Sequence, residues 1–451
     1  MFRKKSIISS CSLLKKVLFC SLFILGIHSL QAQQTQIISL KEAVQLAKEN
    51  NDHILQAQLE VTLADQNSQE NKERRLPEIE LSGSYSRITN LTEFKEGFLK
   101  GKDVVHTIPE IYHVGTAIKM PIYAGNKINN AITIANQQKN KADVNQEKVE
   151  SDIQLAVIGN YLGIYKLMAL QKIIEDNIAE EKKRLQEVQS LQKHGTVTKN
   201  EVLRTELQLS DRKLSALTNS KNIQIELHNL KTLLQIPQEQ EISIDTTATI
   251  LENGIDSYES YAAKSVQNEE IRMANQEIDI KKTELKLVKG NYLPKIQFFG
   301  NFNLKYPNYM FFPPDPYLYS LGQVGIEASF DLSGLYKNKI KVQKAKTEIA
   351  WEEREAKITK DKVLDQLYKN HTQYEEVVER FAVVDKAVAL ADENYRIVKL
   401  KYLNQLALIT EMVDADNALV EAKYEKIATR IDAAMKHYEL LHTAGLLHEE
   451  N

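Results

Sequence analysis

The spacing of apolar residues changes from a helical to a strand period at the same point in each half of the chain. Over residues 39–75 apolar side chains recur at three- and four-residue steps, and Ser39 with Glu42 has the pattern of a capping box, so one uninterrupted helix is predicted. Leu76-Pro77 ends this helix, because proline cannot continue it. The following residues alternate at a period of two, which predicts a strand with the apolar row Ile79, Leu81, Gly83 and Tyr85.

The second half repeats this succession 217 positions later. Asn51 corresponds to Asn268, Ile54 to Ile271, and Leu76-Pro77-Glu78-Ile79 to Leu293-Pro294-Lys295-Ile296. No gap is needed over a stretch of about forty residues, which makes an accidental match a poor explanation. The chain is therefore predicted to contain two structural repeats, residues 33–250 and residues 251–451.

Each repeat contains two predicted strands, at about 78–88 and 112–122 in the first and about 295–306 and 318–332 in the second. The apolar row of the strand at 112–122 is Val114, Thr116, Ile118, Met120 and Ile122. About ten residues is the length that a tilted strand needs to cross a bilayer. Strands of a soluble sheet alternate as well, so the pattern alone leaves a membrane sheet and a soluble sheet both open.

The remaining chain predicts long helices in pairs. One helix covers residues 139–193, with a predicted buried stripe that includes Ile174, Ile178, Leu185 and Val188, and a second helix follows the break at His194-Gly195. The second repeat has the same arrangement, with helices over about 338–400 and 410–442. Because single helices of this length cannot bury a stripe, each pair is expected to pack as an antiparallel coiled coil. The predicted fold class is mainly α with a smaller β part.

The first 32 residues have the pattern of a secretory signal peptide, with cleavage expected after Ala32. Five basic residues precede or flank an apolar run at 17–27, which is too short for a lasting membrane anchor. Both cysteines, Cys11 and Cys20, lie inside this segment, so the mature chain has no disulfide, thiolate metal site or cysteine nucleophile. Lipidation of Cys20 is an alternative, but Leu18-Phe19 lacks the small residues that such processing prefers.

Composition and motifs exclude several classes of function. Without residues 1–32 the chain carries 53 basic and 61 acidic residues, a net charge of −8 that suits neither nucleic acid nor an anionic membrane surface. The sequence contains no metalloprotease helix motif, no nucleophile elbow and no phosphate-binding glycine loop. His437 and His442 are five residues apart and do not share a helical face. We therefore expect neither an enzyme nor a cofactor or metal site.

Four strands facing lipid cannot form a finished structure by themselves. They leave two open edges, and unpaired backbone groups in hydrocarbon cost several kcal/mol each. Closed membrane barrels need at least about eight strands. If the strands cross a membrane, several copies of the chain must therefore share one barrel, and the coiled coils extend from it as a second cylinder.

The order of these segments resembles that of the TolC-type outer-membrane efflux proteins, over essentially the whole mature chain. The resemblance is carried by the repeated Leu-Pro-x-Ile, the strand-to-helix joints at 121–125 and 330–334, and the segments at 195–202 and 402–419. It implies a homotrimer in the outer membrane, with a twelve-stranded β-barrel in lipid and a periplasmic α-helical tunnel. It also implies an exit duct for efflux or type I secretion, opened by a periplasmic adaptor and an inner-membrane transporter.

The same resemblance assigns roles to residues near the two helical turns. Glu411 and Asp414 match the acidic residues that narrow the tunnel, and their three-residue spacing places them on one helical face. In a trimer they would form a ring of six carboxylates. The alternative is a solvated helix face, which is the usual location of two acidic residues.

Tyr402 matches the tyrosine that tethers the closed tip to an acidic residue of the other hairpin, and Glu201 stands where that residue is expected. Ala407 replaces the arginine that adds a second tether in the family. Ordinary coiled-coil packing is the alternative role for Tyr402.

The turns expected to face the adaptor are Gly195-Thr196 and Gln405-Leu406, where Gln405 replaces the second glycine of the family. A function of a different class stays open at this stage, because a soluble periplasmic coiled-coil scaffold or adaptor would have similar helices. Such a scaffold would wash off membranes with salt or alkali, whereas a duct requires detergent.

Overall fold

The computed structural model describes residues 36–98, 100–101, 103–246, 256–311 and 313–447. The predicted signal peptide at 1–32 and the predicted repeat boundary at 250/251 lie outside the described residues. The α-helices are α1 (Leu40–Asn50), α2 (Asp52–Glu73), α3 (Lys127–Lys193), α4 (Lys199–Leu234), α5 (Tyr258–Lys264), α6 (Glu269–Lys289), α7 (Gly334–Leu403) and α8 (Ile409–Ala444). The strands are β1 (Gln36–Ile38), β2 (Glu78–Arg87), β3 (Leu91–Glu93), β4 (Asp103–Val105), β5 (Glu110–Ala124), β6 (Ile242–Ile244), β7 (Lys295–Tyr306) and β8 (Tyr319–Ser329).

The four long strands form one antiparallel sheet in the order β2-β5-β7-β8. Leu81, Thr116, Phe302 and Gly322 stand opposite one another in one row across the sheet. The adjacent row, on the other face, is Ser82, Gly115, Asn303 and Leu321. Because side chains alternate along a strand, the rows of apolar residues lie on one face of the sheet and most polar residues lie on the other.

One predicted member of an apolar row lies elsewhere. The register between β5 and β7 shifts between Pro121 and Tyr123, so that Tyr123, and not Ile122, stands opposite Ile296. Pro121 has no N–H to donate to the ladder, and a bulge is where a strand tolerates such a residue. The apolar row of β5 therefore ends at Met120, and the assignment of Ile122 to it was wrong.

The helix predicted over residues 39–75 is interrupted at Asn51. The Asn51 side chain accepts from the His53 N–H at 2.9 Å and donates to the Leu233 carbonyl at 2.9 Å, at the end of α4. Asn268 caps α6 in the same way and donates to the Thr443 carbonyl, 3.2 Å away at the end of α8. The two equivalent asparagines thus end one helix, begin the next, and fasten both to the last helix of their own repeat.

The long helices begin at the sheet. α3 has 67 residues and α7 has 70, which corresponds to about 100 Å of helix each. Each helix turns back through a short loop into a helix of 36 residues, giving hairpin 1 (α3 and α4) and hairpin 2 (α7 and α8). α3 and α7 thus start earlier than the predicted residues 139 and 338, because they continue directly from β5 and β8.

Gly125, between β5 and α3, makes the tightest backbone approach at this junction. Its φ is +64°, and a Cβ added there would lie 2.5 Å from the Gly290 carbonyl oxygen. A Cβ on Gly290 would likewise lie 2.5 Å from the Gly125 oxygen. Only glycine fits at both positions, so the end of α6 can contact the start of α3.

The main core lies midway along the helices, where the hairpins meet α1 and a small parallel sheet of β1 and β6. Residues here are almost fully buried, including Val157, Leu230, Leu367 and Leu440. The Tyr161 hydroxyl lies within 3.1 Å of the Ile38 and Asp245 carbonyls and accepts from the Asp245 N–H. This core contains residues of both hairpins and so holds them together.

Candidate functional site at the hairpin tips

The tips are the turns that connect α3 to α4 and α7 to α8. In the first, the Thr196 N–H donates to the Leu191 carbonyl at 2.9 Å, and in the second the Leu406 N–H donates to the Lys401 carbonyl at 2.8 Å. Gly195 and Gln405 both have left-handed backbones, with φ of +73° and +61°. Both turns are therefore Schellman motifs, and Gln405 adopts in the second the conformation that glycine provides in the first.

Glu411 and Asp414 lie on the exposed face of α8, while Met412 and Ala415 are buried on the opposite face. Asp414 also lines a groove of about 420 Å³ between α4 and α8, and Arg204 lines the same groove. Glu411 and Asp414 thus share one exposed face of α8, as their three-residue spacing predicts, and both carboxylates point away from the packed side of the helix. Whether they form a ring depends on the neighbouring chains.

Tyr402 is half-buried against a small apolar cluster beside the tip, made of Tyr395, Met412, Ala415 and Leu419. Its hydroxyl has no hydrogen-bond partner among the described residues, so a direct bond to Glu201 is absent from this chain. Burial raises the pKa of the Tyr402 hydroxyl, and the nearby negative charge of Glu201 raises it further. Tyr402 and Glu201 are therefore electrostatic neighbours, and the tether itself stays a prediction.

A buried ionic network joins the two hairpins just behind this cluster. The Arg184 Nη1 donates to Glu181 Oε1 at 2.6 Å, and Arg184 Nη2 lies 3.5 Å from Asp416 Oδ1. Arg184 Nη2 also donates to the Tyr395 hydroxyl at 3.2 Å, and Asn177 Nδ2 donates to Asp416 Oδ2 at 3.0 Å. All five side chains are at most 9% exposed, so this is a charged site shielded from water.

Two carboxylates share one guanidinium in this network. Burial, together with the nearby charge of Asp416, raises the pKa of Glu181 to about 7, although Arg184 opposes the shift. Tyr395 is affected similarly, since burial raises the pKa of its hydroxyl against the influence of Arg184. Below about pH 7 this environment therefore favours a proton on Glu181.

The sequence analysis missed this network because it followed apolar residues alone. In the part of α3 near the tip, the buried residues are Ile174, Asn177, Glu181, Arg184 and Val188, whereas Ile178 and Leu185 are only partly buried. A signal did exist, because Asn177, Glu181 and Arg184 continue the three- and four-residue steps from Ile174 to Val188. Polar residues in phase with a buried stripe indicate an interior ionic site.

Among the described residues, no group of histidine, cysteine, aspartate and glutamate side chains is arranged to hold a metal ion. The tips present carboxylates, a tyrosine and a buried ion pair on helices.

A family model described as outer membrane efflux protein matches residues 43–234. A sequence search among curated proteins gives no significant match. The fold is shared with the outer membrane protein VceC of Vibrio cholerae, which is 13% identical with a TM-score of 0.72 over 90% of this chain and 96% of that one.

Two further solved structures are similar to the same degree. The CmeC outer membrane channel of Campylobacter jejuni is 13% identical, with a TM-score of 0.73 over 90% of this chain and 86% of that one. The MtrE outer membrane channel of Neisseria gonorrhoeae, in its open state, is 14% identical, with a TM-score of 0.71 over 90% and 89%. The family match over residues 43–234 and the shared fold confirm the predicted resemblance to the outer membrane efflux proteins.

Proposed function

We propose that three copies of this chain form the outer-membrane exit duct of a tripartite efflux or type I secretion system. The duct is a passive channel, opened by a periplasmic adaptor and an inner-membrane transporter. The observation that carries the proposal is the four-stranded sheet, which exposes an apolar face and has two unpaired edges. Neither feature suits a single chain in water.

The apolar face of the sheet is exposed along its whole height. Leu81, Val324 and Ile326 are 76%, 77% and 70% exposed, although each lies in the middle of a strand. An apolar surface of this extent marks contact with lipid or with another protein. The opposite face carries serines, asparagines and charged residues, as expected for the wall of a water-filled lumen.

The edges require further strands. β2 and β8 each pair on one side only in the described chain, and an open edge in hydrocarbon leaves backbone groups without partners. Three sheets of four strands joined edge to edge give the twelve-stranded barrel that the family resemblance implies.

The helices support a ring of chains for an independent reason. α6 packs on both α3 and α7, whereas its repeat equivalent α2 packs closely on α3 but not on α7. The free side of α2 carries Leu55, Leu59 and Leu63, which are 40%, 64% and 64% exposed. If α2 is packed on both sides as α6 is, then α7 of one chain covers α2 of the next chain. Such a contact is heterologous, and three of them can close into a ring.

In this assembly the proposed roles of the tip residues follow from the family resemblance. Glu411 and Asp414 of three chains would surround the narrowest part of the tunnel, and Tyr402 and Glu201 would tether the closed tip. The turns at Gly195-Thr196 and Gln405-Leu406 would contact the adaptor. A soluble coiled-coil scaffold is disfavoured, because it has no use for the exposed apolar face of the sheet.

Phe298→Asp or Ile326→Asp tests the proposal, because these two residues stand opposite each other on the apolar face. We expect either change to prevent membrane assembly, at a cost somewhat below the about 2–4 kcal/mol that a lysine or arginine carries near mid-membrane. The wild type should require detergent for release and should migrate as a heat-sensitive oligomer on gels.

Asn301→Asp is the matched control, because Asn301 lies on the opposite face of the same strand and is replaced by a residue of equal size. We expect this variant to assemble normally. A stable, water-soluble wild-type monomer without detergent, or equal behaviour of all three variants, would refute the duct.

A further inference from the structure

The network of Arg184, Glu181 and Asp416 lies where the two hairpins can separate. Glu181 and Arg184 belong to α3 of hairpin 1, whereas Asp416 belongs to α8 of hairpin 2. Midway along the molecule the hairpins are joined by the large apolar core, but beside the tips the apolar cluster has only four buried members. The ion pair is therefore a principal contact between the hairpins at this end.

The charges of this network do not balance. Two carboxylates and one guanidinium leave a net charge of −1 in a site where Glu181 is 0% and Asp416 is 1% exposed. The charge of Arg212 on α4 also lowers the pKa of Glu181, but Arg212 is partly exposed and donates to Asn417. On α7, Tyr395 faces Arg184 as a neutral hydroxyl and Tyr402 lies close by. A buried uncompensated charge is costly, and a proton is the simplest way to remove it.

The geometry provides a place for that proton. Glu181 Oε1 accepts from Arg184, while Glu181 Oε2 is buried and has no hydrogen-bond partner among the described residues. A hydrogen on Oε2 can be donated to the neighbouring Asp416 carboxylate. The protonated pair then bonds the hairpins to each other, and the ionised pair repels across the same interface.

We propose that Glu181, Asp416 and Arg184 form a proton-dependent lock between the two hairpins, which is closed when Glu181 is protonated and weakened when Glu181 is ionised. The proposal rests on the proposed function, since separation of the hairpins is taken to open the tunnel. It concerns residues that differ from the exposed acidic residues Glu411 and Asp414 and from the tether of Tyr402 and Glu201.

The direction of the pH dependence follows from linkage. In the packed state the pKa of Glu181 is raised to about 7, and after separation it returns towards its ordinary value of 4.5. Separation therefore releases a proton between these two pKa values, so the locked state is most favoured below the lower one. It loses stability as the pH rises and reaches a constant level above the upper one.

The experiment uses the full-length assembled protein in planar lipid bilayers, with open probability measured from pH 5 to pH 8. We expect the open probability of the wild type to rise with pH, by up to about tenfold per unit for each protomer. Glu181→Gln mimics the protonated residue, because its amide can donate to Asp416. This variant should stay closed and lose the pH dependence.

Glu180→Gln is the matched control, because it removes the same charge from the adjacent, exposed position of α3. It should keep the pH response of the wild type. A Glu181→Gln protein that responds to pH like the wild type would overturn the proposal. If Glu181→Gln does not assemble, Asp416→Asn replaces it, with the same expected loss of response and the same refuting result.

A second measurement separates the lock from the channel. Thermal unfolding of the helical part, followed by circular dichroism at pH 5.5 and pH 8, should show a pH shift in Glu180→Gln that is reduced in Glu181→Gln. This reduction is expected even if the wild type conducts no ions. In that case the proposed channel function is refuted, whereas the proton-dependent contact between the hairpins is supported. Equal shifts in both variants would refute the lock, whatever the conductance.

Discussion

Leu63 on α2 and Ile280 on α6 occupy the same position of the two repeats, yet Leu63 is 64% exposed and Ile280 only 3%. The helices around them explain the difference. α6 has α3 on one side and α7 on the other, while α2 has only α3 from its own chain. The first repeat thus presents an apolar side chain where the second has already buried one. In the proposed trimer, this exposed side of α2 is the surface that a neighbouring chain would cover.

The same comparison at the tips gives a different result. Position 195 corresponds to 405 and position 184 to 394, an offset of 210 in this part of the repeat. The backbones of the two turns agree, but Arg184 is buried in the ionic network while Asn394 is exposed. The two hairpins therefore have turns of the same backbone conformation. Only the first hairpin has a charged residue, Arg184, at the position that Asn394 occupies in the second.

The largest effect is expected where the two repeats differ most in burial. Ile280→Glu should prevent the chain from folding, because it buries an unpaired carboxylate at a cost of several kcal/mol. Leu63→Glu should leave the chain folded but abolish the oligomer. The measurement is mobility of unheated samples on gels together with light scattering in detergent.

Gln58→Glu is the control for Leu63→Glu, since Gln58 is exposed on α2 and lies about 140° around the helix from Leu63. It should form a normal oligomer. Loss of the oligomer in this variant as well, or a normal oligomer with Leu63→Glu, would show that α2 is not covered by a neighbouring chain.

A second comparison concerns Arg184 and Asn394. Arg184→Leu leaves Glu181 and Asp416 buried without a cation, which should cost about 3–5 kcal/mol. The cost should be smaller at pH 5.5 than at pH 8, because the raised pKa of Glu181 lets protonation remove one charge at the lower pH. Thermal unfolding at the two pH values measures this, and Asn394→Leu should be nearly neutral at both.

A third comparison uses the acidic residues of α8. Glu411 and Asp414 correspond to Glu201 and Arg204 in the first repeat, so only the second repeat places two acidic residues on this face. Glu411→Ala with Asp414→Ala should lower the cation selectivity of the closed pore, by about tenfold or less at low salt. The measurement is the single-channel reversal potential in a salt gradient.

Glu421→Ala with Lys423→Ala removes one charge of each sign from exposed positions of α8 away from the tip, and should leave the reversal potential unchanged. An unchanged potential in a correctly assembled Glu411→Ala, Asp414→Ala protein would place these acidic residues on an outer, solvated face.

The smallest effect is expected at the turns. Gln405 adopts a left-handed conformation that costs a side chain of this kind about 1 kcal/mol, so Gln405→Gly should stabilise the second tip slightly. Gly195→Gln should destabilise the first tip by a similar amount, although no atom lies within 4 Å of the added Cβ. Hydrogen exchange of the turn amides reports both changes, and equal exchange in all three proteins would mean that neither turn is strained.

Most positions of helices and strands were predictable, because they depend on the local pattern of apolar residues. The strands lie close to their predicted positions, since alternation and Leu-Pro breaks are local signals. The break at Asn51 was not predicted, because its side chain is fixed by the Leu233 carbonyl, which is remote in sequence. Ile122 was misassigned because a bulge changes which face every later residue occupies.

By itself the sequence predicted two repeats and determined the helical and strand periods and the positions of the turns, because these follow from spacing along the chain. The tertiary structure decided which polar residues are buried. Asp416 and Asp414 are two residues apart, but the helix turns one towards Arg184 and the other towards solvent. Sequence spacing gives a helical face but not what lies opposite it, and the ionisation of a carboxyl group depends on that opposite surface.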